Sequence, residues 1–317
     1  MAKYVTPAME KLEKRREAEA QKQLRRATKG KKSADASRGQ MTKEVLHRMG
    51  KNHLAMVGVV ILVIFVLCSL FPQTIAPEGM DEQNYANAFI APCWQHPFGT
   101  DNFGRDILSR IIWASRTSLS IGIISVTFAV LVGGLIGAVA AFYGGVLDNI
   151  LMRIMDVLMS IPSFLLCIGI TAALGNGFMI IIFAVAIGSI PEYARIVRAS
   201  VLTIKDQEFV EAARSIGASD ARLTFRHLLP NCLSPIIVQA TMGVAGAILT
   251  AAGLSFMGLG VQPPTPEWGY MLNAGKQYIR DYWWIVTFPG LAIMAAIFSL
   301  NMVGDGLRDA LDPKLKQ

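Results

Sequence analysis

The sequence predicts an all-α polytopic membrane protein with six transmembrane helices. Of its 317 residues, 53% are hydrophobic and 17% are charged, whereas soluble domains carry about 25% charged residues. The hydrophobic residues lie in blocks of about 20 that contain few charges, and each block is long enough to cross a hydrocarbon core about 30 Å thick. A transmembrane barrel would instead need alternating segments of about ten residues. We find no such segments, so each block is interpreted as a membrane-spanning helix.

The first 53 residues form a basic tail. They contain 15 Lys and Arg but only 6 Asp and Glu, a net charge of +9, whereas the whole chain carries +7. The rest of the chain is therefore slightly acidic, which argues against a nucleic-acid partner. We expect residues 1–53 to be a solvated cytoplasmic tail. The alternative is a segment that binds anionic lipid head groups.

The first transmembrane helix is predicted within residues 54–75. Basic residues precede it at Lys43, Arg48 and Lys51, and the segment after it has four acidic residues but no Lys or Arg as far as Gly104. Basic residues favour the cytoplasmic side of a membrane. The N-terminus is therefore predicted in the cytoplasm, and residues 76–114 are predicted to form an exterior loop with a surface helix.

Five further spans are predicted at residues 118–142, 147–174, 178–196, 235–258 and 284–303. In the first of these, Gly133 and Gly137 are four residues apart, a spacing that lets two helix backbones approach closely. Pro162 is expected to kink the second, because proline interrupts helical hydrogen bonding. Six crossings return the C-terminal tail, residues 310–317, to the cytoplasm, so that both termini are predicted on that side.

The sequence contains no recognisable set of catalytic residues. It lacks the P-loop pattern G-x-x-x-x-G-K-[ST], the HExxH motif and the nucleophile elbow. The four cysteines show no C-x-x-C spacing, which argues against a disulfide or a metal cluster. Cys93 and His96 form a lone C-x-x-H, which is expected to be a surface loop with unrelated side chains. We therefore expect a non-catalytic chain that binds no metal and no cofactor of its own.

The most informative polar stretch lies between the fourth and fifth spans, at residues 206–231. It predicts two short amphipathic helices, the first capped by Asp206 and ended by a left-handed turn at Gly217. Pro230 is expected to end the second helix. Four apolar side chains recur at the helical spacing i, i+3, i+4 and i+7: Phe209, Ala212, Ala213 and Ile216. A protruding segment with such an apolar stripe suits docking into a groove of a soluble partner.

This stretch also resembles a known family. Glu211-Ala212-Ala213, Gly217 and Leu229-Pro230 have the spacing of the EAA loop of ABC importer permeases. The resemblance implies that residues 206–231 are a coupling segment held in a cleft of a cytoplasmic ATPase, with Ile216 on its contact stripe. His227 occupies a position where the general pattern more often has Ile, and a His before Leu-Leu-Pro-Asn is typical of the peptide-permease branch.

Other motifs resemble the DppC/OppC-type permeases of that branch. They are Gly99-Thr100-Asp101-Asn102-Phe103-Gly104-Arg105-Asp106, Tyr143-Gly144-Gly145, Ile161-Pro162 and the C-terminal stretch from Gly304 to Pro313. The resemblance covers residues 54–313. It implies a type I ABC importer (MetI-like) permease fold, with an ABC transmembrane type-1 domain at residues 115–309.

The same resemblance implies an assembly in the inner or plasma membrane of a prokaryote. The partners would be a homologous DppB/OppB-type permease, two ATP-binding-cassette ATPase subunits that use ATP and Mg, and an exterior substrate-binding protein. The implied cargo is a dipeptide or an oligopeptide, with nickel or another small solute as the alternative.

Four ionisable residues near cytoplasmic helix ends each allow two interpretations. Arg153 and Asp156 are three residues apart and are expected to pair on one helical face. They are either a structural ion pair or part of a gate or an ATPase contact. Glu192 and Arg195 either mark a helix end whose side chains reach the interface, or belong to the same gate.

Three charged residues of the predicted exterior loop are also open to two interpretations. Asp101, Arg105 and Asp106 would belong to a surface helix whose cap is Thr100 or Asp101. Alternatively, they would contact a docked binding protein or the partner permease.

Two other classes of function are weighed against a permease. An ion-coupled secondary transporter would need ionisable groups deep in its spans and often has internal repeats. The predicted spans carry few charges at mid-depth and show no obvious repeat. An integral membrane enzyme would need a set of catalytic residues, and none is recognisable. The sequence therefore favours a permease.

Overall fold

The computed structural model describes residues 47–311. The chain divides into two units, Met1–Lys51 and Asn52–Gln317, and the helices below belong to the second. The predicted basic tail at residues 1–53, including its lipid-binding alternative, lies almost entirely outside the described residues. In the described part, the helices of eight or more residues are α1 (His53–Leu70), α2 (Ile107–Tyr143), α3 (Gly145–Met159), α4 (Ser163–Leu174), α5 (Phe178–Ile204), α6 (Glu208–Ser215), α7 (Leu233–Phe256), α8 (Trp268–Gly275) and α9 (Trp284–Leu311).

Six apolar segments are suited to cross a membrane. Helices α1, α2, α5, α7 and α9 are each long and apolar enough to do so. The pair α3 and α4 passes the same test as one broken span. The prediction of an all-α protein with six spans is confirmed.

The helix that contains the second predicted span is longer than that span. Helix α2 runs for 37 residues, Ile107–Tyr143, which corresponds to about 55 Å at the helical rise of 1.5 Å per residue. The predicted surface helix is therefore the first part of this span and is not a separate element. The prediction of Thr100 or Asp101 as its cap is wrong. The cap is Asp106, because its carboxylate accepts a hydrogen bond from the Ser109 amide at 2.7 Å.

The predicted kink at Pro162 is a sharp corner. Helices α3 and α4 meet at an angle of 82° across the short break between them. Pro162 stands at the N-cap of α4 with φ −51° and ψ 127°. Proline has no amide hydrogen and restricts the preceding residue to extended conformations. The chain therefore leaves the helix at Ser160 and starts a new one at Ser163.

Small residues bring α2 and α5 into close contact, as the glycine spacing predicted. A Cβ atom on Gly133 would stand 2.5 Å from the Ile190 carbonyl oxygen, and one on Gly137 would overlap the Ala194 carbonyl. Only hydrogen fits at either position. The two backbones therefore touch along the C-terminal halves of both helices.

The segment between α7 and α9 folds back into the helical bundle through α8. Trp268 is fully buried, and its indole Nε1 donates to the Ile111 carbonyl of α2 at 3.1 Å. Glu267 caps α8 by accepting hydrogen bonds from the amides of Gly269 and Tyr270. This segment therefore joins the N-terminal ends of α2 and α9 to the C-terminal end of α7 and fixes their spacing.

Candidate functional site

One face of the segment 206–231 is anchored on the transmembrane helices. Its buried side chains are Val210, Ala213, Leu223 and Leu228. They share one hydrophobic cluster with residues of α2 and α5, namely Ala138, Ala141, Val197 and Val201. Because burial of large apolar side chains supplies most of the packing energy, this inner face ties the segment to the C-terminal ends of α2 and α5.

The opposite face of the segment is exposed and apolar. Ile216 is 86% exposed, Phe225 58% and Phe209 38%. Glu211 and Ala212 are also exposed on this outer face. Large exposed apolar side chains are the feature that makes this face the candidate contact site.

The structure corrects the predicted contact stripe. Phe209, Ala212 and Ile216 face outward as expected, but Ala213 is only 6% exposed and packs inward beside Val210. The helical periodicity was predicted correctly, but Ala213 was wrongly included in the exposed stripe. Its burial depends on packing against α2 and α5, which the local sequence does not show. Phe225 was not singled out from the sequence. Its signal would have been an aromatic residue within a basic stretch, between Arg222 and Arg226.

Gly217 ends helix α6 with a left-handed turn, as predicted. Its φ angle is +81°. The Gly217 amide donates to the Arg214 carbonyl at 2.9 Å, and the Ala218 amide donates to the Ala213 carbonyl at 3.1 Å. The expected cap at Asp206 is wrong. The N-cap is Gln207, whose backbone carbonyl accepts from Val210 at 2.9 Å while its side chain makes no capping bond.

The second half of the segment is a continuous but irregular helical stretch. Residues Leu223–Leu228 form a π-helical turn, which leads into the short turn Leu229–Asn231. Pro230 lies in the first turn of that last piece, where a missing amide hydrogen is tolerated. The second helix ends at Asn231, one residue after Pro230, so the prediction that it ends at Pro230 is correct to within one residue. Leu229 and Pro230 are both partly buried, so they contribute more to anchoring than to the outer face.

Three polar pairs lie along one side of α5 and lead toward the segment 206–231. Glu192 accepts a hydrogen bond from the Gln239 amide of α7 at 2.7 Å. The other two pairs join α5 to α3, at 2.6 Å each: Arg195 with Asp156, and Arg198 with Asp148. They hold α3 and α7 against α5.

The predicted pairing of Arg153 with Asp156 is wrong, because Asp156 pairs with Arg195 of another helix. The pair of Arg198 with Asp148 was not predicted from the sequence. These two residues lie 50 positions apart on different helices, and no local pattern links them.

Asp101, Arg105 and Asp106, the three charged residues of the predicted exterior loop, are buried. The Asp101 carboxylate accepts hydrogen bonds from Arg105 Nε at 2.7 Å and from an Arg110 terminal nitrogen at 2.8 Å. Arg105 also reaches Asp81 at 2.8 Å. These side chains are used within the chain, so the geometry favours the structural interpretation over exterior docking.

His96 belongs to the same buried cluster, contrary to the expectation of unrelated surface side chains. Its Nδ1 lies 3.1 Å from Asp106 and 3.9 Å from Glu78. Burial, followed by the nearby charge of Asp106, raises the pKa of the Glu78 carboxyl above its usual value. Cys93 is exposed, and its sulfur accepts from the His96 amide at 3.4 Å. Among residues 47–311, no group of three or more His, Cys, Asp or Glu side chains is placed to hold a metal ion.

Two family models match the chain. Residues 129–317 match the binding-protein-dependent transport system inner membrane component. Residues 40–92 match the N-terminal transmembrane domain of oligopeptide transport permease C. The first match alone spans more than half of the sequence.

Curated relatives resemble the chain along almost its whole length. The dipeptide transport system permease protein DppC of Alkalihalophilus pseudofirmus is 44% identical over 274 residues, which cover 86% of this chain and 90% of the relative. The di/tripeptide permease protein DppC of Pseudomonas aeruginosa is 44% identical over 280 residues, 86% and 92% of the two chains. The glutathione transport system permease protein GsiD of Escherichia coli is 44% identical over 274 residues, 86% and 90%.

A solved structure shows the same fold. A chain of the MetNI methionine ABC transporter, in an inward-facing conformation, aligns with a TM-score of 0.53 at 19% identity, over 64% of this chain and 97% of that chain. The family matches favour an ABC permease over an ion-coupled secondary transporter. The chain belongs to the binding-protein-dependent transport system inner membrane components, and it is a multi-pass permease component of an ABC importer with the MetI-like type I fold.

Proposed function

We propose that this permease imports dipeptides or oligopeptides. The observation that carries the proposal is its 44% identity, over about nine-tenths of their lengths, to permeases named for dipeptides, di/tripeptides and glutathione. All three names denote short peptides, and none denotes nickel.

The ATPase is proposed to act on the chain through the exposed outer face of the segment 206–231. Ile216, Phe209 and Phe225 would enter a cleft of a cytoplasmic ATPase, and Glu211 and Ala212 would line the contact. Gly217 fixes the angle at which α6 ends, and the buried inner face passes movement to α2 and α5. This arrangement requires that the segment, and with it both termini, lie in the cytoplasm.

In the proposed assembly the chain has no catalytic activity of its own and binds no cofactor or metal. It shares the pathway with a second, homologous DppB/OppB-type permease. Two ATPase subunits hydrolyse ATP with Mg, and an exterior binding protein delivers the peptide. Two residues assigned from the sequence to a possible gate, Arg195 and Asp156, stabilise the contact of α3 with α5 in this arrangement.

Uptake into vesicles that contain the assembled complex tests this function. We expect ATP-dependent accumulation of a labelled dipeptide that persists when an uncoupler collapses the ion gradient. Accumulation that ignores ATP and disappears with the uncoupler would support the secondary-transporter alternative. Uptake of nickel without uptake of any dipeptide would contradict the peptide assignment.

Changing Ile216 to Asp is expected to detach the ATPase. A charge at an 86% exposed position should leave the fold intact, whereas loss of a central apolar contact commonly weakens an interface about tenfold or more. The measurement is the amount of ATPase that co-purifies with the membrane-inserted variant. The matched control is Ile279→Asp, which replaces an isoleucine that is 52% exposed in the segment between α8 and α9. Equal ATPase recovery from both variants would overturn the coupling assignment.

A further inference from the structure

Glu192 lies at membrane depth. It is fourteen residues after Phe178, the start of α5, which corresponds to about 21 Å along the helix. Its partner Gln239 is six residues after Leu233, the start of α7, or about 9 Å from the opposite end. Both distances place the pair inside a hydrocarbon core about 30 Å thick.

The Glu192 carboxylate is nevertheless exposed on the surface of the chain. Gln239 donates to its Oε1 at 2.7 Å, while Oε2 has no hydrogen-bond partner among the described residues. An ionisable group at this depth is unfavourable against lipid and faces either a water-filled space or another protein surface. The exposed face of α5 at Glu192 is therefore not a lipid-facing one.

Among the described residues, Glu192 forms no ion pair with a cation. One turn further along α5, Arg195 is balanced by Asp156, and the next turn carries the balanced pair of Arg198 and Asp148. Glu192 is held by the neutral amide of Gln239 instead of a cation. Of the three pairs, it is the one that keeps an unbalanced charge.

Open space lies beside the pair on the exterior side. Gly246 follows Gln239 on α7 by seven residues, two helical turns, and a Cβ atom there would meet nothing within 4 Å. Ser189 precedes Glu192 by one turn on α5 and is only partly buried. Tyr193 fills the contact of α5 with α7 at Gly243, so a small group would reach the free carboxylate oxygen along the exposed surface beside Gly246 and not between the two helices.

We propose that Glu192, oriented by Gln239, binds the primary ammonium group of a peptide in the translocation pathway. This inference rests on the proposed peptide import. An ammonium group has three hydrogen-bond donors and a full positive charge. It would complete the coordination of Oε2 with a charge-assisted hydrogen bond, which is stronger than a neutral one.

The first test is uptake of Ala-Ala by the assembled complex. Glu192→Gln keeps the shape and removes the charge, so we expect the ratio kcat/KM for uptake to fall about tenfold, with partial recovery in Glu192→Asp. The control is Asp309→Asn, which removes an exposed carboxylate near the end of α9. If the wild-type complex takes up no peptide, the proposed function fails. If the wild type is active and Glu192→Gln equals it, only the ammonium site is refuted.

The second test asks what Glu192 faces. In a chain with Cys68 and Cys93 replaced by Ser, Glu192→Cys should react with a cationic thiosulfonate in the assembled complex, and Ala-Ala should slow that reaction. Leu131→Cys, at an exposed position of α2, should not react in either condition. Reaction of Glu192→Cys in the isolated chain but not in the complex would identify a contact with the partner permease and overturn the proposal.

Discussion

Changing Asp101 to Ala is expected to lower the free energy of unfolding by about 3–5 kcal/mol, because removal of one member of a buried ion pair leaves its partners uncompensated. Arg105 and Arg110 both lose their shared carboxylate, and both are buried. The amides of Phe103 and Arg105 lose an acceptor as well. The measurement is thermal unfolding of the purified chain in detergent.

The matched control is Asp81→Asn in the same cluster. The Asp81 side chain is 32% exposed and contacts Arg105 alone among the arginines. A partly exposed ion pair contributes about 1 kcal/mol or less, so the melting temperature should change little. Equal decreases in the melting temperature of the two variants would show that Asp101 does not stabilise the cluster more than Asp81 does.

The second large effect is expected for Gly137→Leu on α2. A Cβ atom there already overlaps the Ala194 carbonyl and lies 2.9 Å from the Arg198 amide nitrogen. Both obstacles are backbone atoms of α5, so the two helices must separate. Overpacking of this kind costs about 3 kcal/mol, and the yield of monodisperse protein in detergent should fall sharply.

Gly134→Ala, three residues earlier on α2, is the control. A Cβ atom on Gly134 would meet Val197 at 3.7 Å, an ordinary van der Waals distance. Alanine also has a higher helix propensity than glycine by about 1 kcal/mol, so this variant should fold at least as well as the wild type. Normal yield and melting of Gly137→Leu would show that the close contact of α2 and α5 is not required.

Local sequence patterns predicted those features of the fold that depend on neighbouring residues alone. Apolar blocks of sufficient length gave the number of spans, and Pro162 gave the position of the corner between α3 and α4. The size of that corner, 82°, did not follow, because it depends on how α4 packs against α5. Helix α2 was predicted too short because Arg110 and Arg116 interrupt its apolar run. Arg110 is accommodated only through Asp101, which lies outside the helix.

In the candidate site, too, features set by the local sequence were predicted and features set by packing between helices were not. Gly217 was predicted to adopt a left-handed conformation from its place after an amphipathic run, and it does. The inward orientation of Ala213 could not be read from periodicity, because it depends on α2 and α5. The partner of Asp156 was likewise misassigned to Arg153, three residues away, instead of Arg195 on another helix. Pairings between distant helices are set by packing and leave no mark in the spacing of the sequence.

The buried inner face of the segment 206–231 also has a mechanical consequence. Leu223 and Leu228 are fully enclosed in the cluster that contains Val197 and Val201 of α5. Densely packed side chains resist compression. A displacement of Ile216 would therefore be passed to α5 and would not be taken up by deformation of the segment. In the proposed function, the segment therefore moves as a rigid body together with the C-terminal end of α5, and the ATPase sets how far it moves.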